Sequence, residues 1–165
     1  MRYAPSLLDK LLHRSLNERP GEVLPGLSLD ELKDSVAADL EALLNTRSAL
    51  ADDEQRQFPL SARSVANYGV ADFASRSLSS GLDRDFICQA IQRSIERQDG
   101  RLRAVSVSLD SQGSAFNRLN FTIRATLRVS DVGEQVSFDA RFEPSLQRYS
   151  VARQRAGGSS RFATP

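Results

Sequence analysis

The chain has one cysteine, one histidine and no tryptophan in 165 residues. A single cysteine, Cys88, cannot form an intrachain disulfide, which fits a reducing compartment. Metal centres need Cys, His or carboxylate ligands clustered at set spacings, and no such cluster is present. The lone histidine, His13, lies on an amphipathic stretch near the start and reads as a surface residue. Its placement does not suggest a dyad with Cys88. The glycine-containing stretches match neither a phosphate-binding loop nor a dinucleotide fingerprint. No cofactor is therefore expected. No apolar run approaches the roughly 20 residues of a membrane helix. Asp9, Lys10, His13 and Arg14 interrupt the first leucines, so neither membrane insertion nor a secretory signal is expected. Charge of one sign is also missing. The 22 basic and 21 acidic residues leave a formal charge of +1, which argues against nucleic acid as a partner. The default location is cytoplasmic.

What is present is ordinary globular material: 40% hydrophobic and 26% charged residues. The length suits one domain with a core of its own. That domain is expected over residues 1–152. A disordered tail is expected over 153–165, where Gly157, Gly158, Ser159 and Ser160 gather.

Residues 5–16 place Leu7, Leu8, Leu11, Leu12 and Leu16 at helical spacing, with Asp9, Lys10 and Arg14 on a polar face. Residues 17–27 hold two prolines and two glycines and read as a loop. A second helix is expected over 30–46, capped by Ser28 or Asp30. Leu29, Leu32, Val36, Leu40, Leu43 and Leu44 form its stripe, and Glu31, Lys33, Asp34, Asp39 and Glu41 its charged face. Residues 48–63 are polar and weakly periodic, a long loop or ragged helix end. Ser64 to Gly69 reads as a turn anchored by Tyr68 and Phe73. A third helix is expected over 83–98, with Phe86, Ile87, Ala90, Ile91 and Ile95 apolar and Gly100 just past its end.

The strands are the clearest signal. Val105, Val107 and Leu109 alternate with serines. Leu119 to Val129 and Val136 to Phe142 alternate in the same way. Asp131 to Gly133 supplies a hairpin turn, and Tyr149 and Val151 suggest a short fourth strand after Pro144. Helices come first and a meander follows. The fold class expected is α+β, with amphipathic helices packed on one face of a three- to four-stranded antiparallel meander.

Enzyme signatures are thin. Glycoside hydrolysis needs two facing carboxylates, and Glu96, Asp99, Asp139 and Glu143 are the candidates. Without Trp, which commonly lines sugar clefts, a hydrolase is the weakest of the functional alternatives. Arg124 and Arg128 share the wet face of the second strand, and Arg101 and Arg103 flank the first. Either they pair across strands, for example with Asp139, or they form an Arg-studded protein interface.

Several ordered pieces carry a resemblance: PSLLDKLL at 5–12, LEALLNTR at 40–47, SVANYGVADF at 64–73 and IERQDGRL at 95–102. With the strand pattern through Phe142, the chain resembles the TssE baseplate subunits of type VI secretion systems, in the phage T4-like baseplate wedge family. That family carries an older "lysozyme" label. The resemblance covers roughly residues 5–152 and implies a non-enzymatic role. Such subunits sit with TssF and TssG, with TssK as a further candidate partner. They help initiate a contractile sheath of TssB and TssC, in a cytoplasmic baseplate docked at the inner-membrane complex. Strand addition to the sheet is the implied mode of docking. A phage tail, or another contractile injection system, is the alternative setting. The family usually has Glu-Pro-Arg where this chain has Asp99-Gly100-Arg101. Asp99, Gly100, Arg101, Arg103, Arg124 and Arg128 are the expected partner-binding residues. Replacing Asp99 or Arg101 by alanine is expected to weaken assembly and leave the fold intact.

Overall fold

The computed structural model describes residues 2–12, 26–62, 64–73, 76, 80–110, 119–129, 133–143 and 145–154. Its first element, α1 (Leu7–Leu12), begins two residues after the start of the helix expected over 5–16, and the last residues of that expectation, with the rest of 13–25, lie outside the described residues. Ser6 and Asp9 cap each other, each backbone N–H donating to the other's side chain at 3.0 Å. Asp9 is buried rather than solvated, because its carboxylate accepts the Ser35 hydroxyl. Leu27, at the end of the expected loop, forms a bridge with Tyr3.

The long helix α2 (Leu29–Leu44) starts where Ser28 and Glu31 satisfy each other's backbone N–H, at 3.3 and 2.7 Å. This reciprocal cap explains why Ser28, not Asp30, ends the preceding loop. The expected leucine stripe is the buried face, from Leu32 through Val36 and Leu40 to Leu44. Residues 48–63 are more regular than expected. They form α3 (Asp52–Gln57) and α4 (Pro59–Ala62). Glu54 accepts the Ala51 N–H at 2.9 Å and starts α3. The two helices bury little, Ala62 being their one buried hydrophobic residue among those described, so no apolar stripe marked them.

A short 3-10 turn at Val65–Asn67 leads to Gly69. Gly69 has φ +123°, and a Cβ there would lie 2.4 Å from the Thr46 carbonyl oxygen. Only glycine lets these two chain segments meet. The meeting is sealed by Val70 N–H to Thr46 O at 2.9 Å and Ser48 N–H to Val70 O at 3.0 Å. Fully buried Asn67 accepts the Ser48 hydroxyl and the Leu50 N–H, and donates to Ala62 O. The helix α5 (Gly81–Gln98) begins two residues earlier than expected, because Ser80 caps it. Its Ser94 hydroxyl donates to Gly69 O at 2.5 Å, tying α5 to that turn.

Four antiparallel strands follow: β1 (Leu102–Asp110), β2 (Leu119–Leu127), β3 (Glu134–Glu143) and β4 (Arg148–Arg153), in the order β1-β2-β3-β4. The expected α+β meander is therefore observed, with four strands. Phe121, Ile123, Ala125 and Leu127 line one face, in register with Val136, Phe138, Ala140 and Phe142. Both long helices cover that face, α5 chiefly over β1 and α2 chiefly beside β4. Gly133 ends the β2–β3 connection with φ +75°. Residues 131, 132 and 144 lie outside the described residues, as do 155–165. β4 runs through Arg153, one residue beyond the expected domain limit. Between Arg103 and Ser106 the β1–β2 register shifts by a bulge, where Ala104 takes φ +49°.

Candidate functional site

The junction between α5 and β1 is built by Asp99. Its N–H closes α5 on Ile95 O at 2.8 Å, and its carbonyl accepts Leu102 N–H at 3.2 Å. Its carboxylate turns back on Arg101. Oδ1 accepts the Arg101 backbone N–H at 3.0 Å and Nε at 2.9 Å, and Oδ2 accepts Nη2 at 2.7 Å. Nη2 also donates to Asp39 Oδ2 at 2.7 Å, so the guanidinium bridges the junction to α2. The side chains of Asp39 and Asp99 are only 10% and 11% exposed, against 30% for Arg101. Burial works against the Arg101 charge. Its bonds to Asp99 and Asp39 outweigh burial and hold its pKa above the ordinary value. Substituting Asp99 or Arg101 therefore disturbs an internal tie between three elements, and the fold cannot be indifferent to it.

Gly100 stands just past the helix but is not a left-handed cap. Its φ lies outside the positive range, and a Cβ would meet open space. The backbone conformation here does not require glycine.

An apolar groove of about 410 Å³ opens beside this ion pair. Leu8, Leu40, Leu43 and Tyr68 line it, and Leu7 and Val65 stand on its rim at 71% and 88% exposed. The Asp39 Oδ1 and Arg101 Nη1 atoms are buried there without hydrogen-bond partners. Burial, with Asp39 and Asp99 nearby, raises the Tyr68 pKa.

The six expected site residues divide into two groups. Asp99, Gly100 and Arg101 form the junction on the helix side. Arg103, Arg124 and Arg128 are exposed and belong to the outer face of β1 and β2. There Arg103 stands opposite Thr126 and Arg124 opposite Ser106. Arg128, just past β2, is placed by its N–H bond to Arg101 O at 2.8 Å. Asp139 stands opposite Thr122 and Ala152, not Arg124, so the suggested cross-strand pairing is not the one the register provides. Burial, then the Asp110 carboxylate, raises the Asp139 pKa.

Sequence reasoning missed Asp39 by assigning it to the charged face of α2. The signal was available. Asp39 is four residues from buried Ser35 and four from buried Leu43, at the flank of the apolar stripe.

The proposed carboxylate pairs do not converge. Glu96 is exposed on α5, which covers the core face, whereas Asp139 lies on the outer face. Asp139 and Glu143 share that face but stand about 13 Å apart along the strand at about 3.3 Å per residue. Glycosidase pairs sit at about 5–9.5 Å. Asp99 is bonded to Arg101. Burial is also the main cause of the raised Cys88 thiol pKa, which disfavours the nucleophilic thiolate. Among the described residues no group of His, Cys, Asp and Glu could hold a metal ion. No helix of the described residues is long and apolar enough to cross a membrane.

Residues 30–132 match the family described as baseplate wedge protein gp25. The chain belongs to that family. The match runs from the first turn of α2 to the connection after β2, so it includes the Asp39–Arg101–Asp99 tie. Membership gives a structural role in the baseplate of a contractile system, in contact with other baseplate components. No curated protein matches the sequence significantly.

Proposed function

We infer that this wedge protein is the TssE-type subunit of a type VI secretion baseplate, and that it helps initiate the contractile sheath by docking a sheath subunit. The observation that carries the inference is the family match over the helix–sheet body. The motifs LEALLNTR and SVANYGVADF support the secretion-system form of it. The partners are TssF and TssG in the wedge, with TssK beside them, and TssB and TssC in the sheath. The site of action is a cytoplasmic baseplate at the inner-membrane complex, and no catalysis is involved.

Two surfaces serve these contacts. The apolar groove beside Asp99, Gly100 and Arg101 suits an apolar element of a baseplate partner, since Leu7 and Val65 are already at its rim. The arginines Arg103, Arg124 and Arg128 offer forked donors to carboxylates of a second partner.

Co-purification from the host tests the reading. Recovery of TssF, TssG and sheath proteins with the tagged chain is the expected result. Normal sheath assembly in a strain lacking the gene would refute it. Gene neighbours encoding capsid and tail proteins would move the same role to a phage particle.

A further inference from the structure

We propose that the open edge for strand addition is β1, and that β4 is closed to it by side chains of α2. The proposal rests on the docking reading above and names where on the sheet docking occurs.

A four-stranded sheet has two edges, here β1 and β4. On β4 the Gln154 N–H donates inward to Ser137 O at 2.8 Å. Hydrogen-bonding direction alternates along a strand, so Tyr149 and Val151 turn their backbone groups outward. Three of those four groups are occupied by side chains. Asn45 Oδ1 accepts the Tyr149 N–H at 2.8 Å while Asn45 Nδ2 donates to Tyr149 O at 2.9 Å. Glu41 Oε2 accepts the Val151 N–H at 2.9 Å. An amide matched at both ends and a carboxylate bond are strong caps that an incoming strand must displace.

The β1 edge differs. Arg128 N–H bonds Arg101 O at 2.8 Å, which fixes the inward pairs before the bulge. Carried through the register shift, Ser106 and Ser108 face β2, and Val107 and Leu109 turn outward. Leu109 N–H meets the Cys88 thiol of α5, a weak acceptor. Val107 N–H has no hydrogen-bond partner among the described residues. A cleft of about 610 Å³ runs between this edge and the first turns of α5, along Arg84, Asp85 and Cys88. A single weakly held donor and an open cleft leave room for another backbone.

The occupant is an extended segment of a partner, about five residues long to match the regular stretch Ser106–Asp110. Its side chains alternate. Those on the core side meet half-buried Val107 and Leu109, and those on the outer side meet Ser106, Ser108 and Asp110.

Hydrogen exchange on the whole chain, alone and with the purified TssB–TssC sheath pair, tests the assignment. Amides at Val107 and Leu109 are expected to slow by about tenfold or more on binding, while Tyr149 and Val151 stay slow in both states. Val107→Pro removes the free donor at an edge position where proline is tolerated. It is expected to abolish sheath binding, with the melting temperature lowered only as far as the lost packing of the half-buried Val107 side chain requires. A complex that protects only Tyr149 and Val151, or that forms normally with Val107→Pro, overturns the edge assignment and leaves the docking reading standing. Concentration-dependent protection of β1 in the isolated chain would make a second copy the occupant and overturn the proposal. Failure of the wild-type chain to bind the sheath pair overturns the docking reading, and this assignment with it.

Discussion

Arg101→Leu removes the guanidinium that joins α2 to the α5–β1 junction and leaves two carboxylates behind. Asp39 and Asp99 are 10% and 11% exposed, so neither regains full hydration. Removing one partner of a buried pair costs about 3–5 kcal/mol, because a charge stays buried alone. Exposed pairs contribute only about 0–1 kcal/mol. Arg101 is 30% exposed, between these limits, and leucine keeps part of the apolar stem. The expected loss is about 2–3 kcal/mol at neutral pH. Urea denaturation measures it as a lowered midpoint with an unchanged slope. In the variant the penalty belongs to carboxylates buried without their partner. Adding Asp39→Asn to the variant recovers part of it at neutral pH for the same reason. A loss below about 0.5 kcal/mol would make the tie an ordinary surface pair. A loss of the expected size that was not relieved by Asp39→Asn would also refute the electrostatic account.

Gly69→Ala should destabilise the fold by about 3 kcal/mol or more, since it combines positive-φ strain with a Cβ at 2.4 Å from backbone. Chemical denaturation reads this directly. Gly100→Ala should instead stabilise by about 0.4–1 kcal/mol, because open space surrounds the new methyl and the unfolded chain loses freedom. Asp139→Asn should raise the melting temperature at neutral pH. The raised Asp139 pKa means that its charge disfavours folding above the folded value, and this cost fades as pH falls below it. The gain from asparagine should therefore vanish in acid. A constant gain across pH would assign the effect to packing.

The sheet was legible because period-two alternation is a direct imprint of one buried face. Ile123 and Phe138 stand opposite each other at the centre of the core, and both are fully buried. The long helices were legible for the same reason, through stripes at 3.6-residue spacing. Three features were not. Helices α3 and α4 bury almost nothing, so they leave no pattern. Asp9 and Asp39 are buried acids, and composition assigns any acid to the solvent until its partner is known. Their partners, Ser35 and Arg101, lie 26 and 62 residues away, a separation that only the fold brings together. The bulge at Ala104 was hidden because an alanine carries no sign of a positive φ.

The motifs that carried the resemblance have work inside the molecule. Asn45 of LEALLNTR closes the β4 edge, and Asn67 and Gly69 of SVANYGVADF hold the turn that α5 rests on through Ser94. These residues specify a scaffold, and the scaffold is asymmetric. Sheet edges are templates for indiscriminate pairing unless they are blocked. If both edges of this sheet were open, copies could chain edge to edge without limit. With one edge filled by Asn45 and Glu41, the proposed addition at β1 would end after one strand. An initiator of a directional polymer needs that property: one copy must nominate one neighbour, on one side. Under the docking role proposed above, the side-chain closure of β4 is as much a part of the device as the β1 edge, and Glu41→Ala with Asn45→Ala should turn a monodisperse chain into one that self-associates on light scattering. Continued monodispersity of a folded double variant would show that backbone closure by α2 is not what keeps the edge silent.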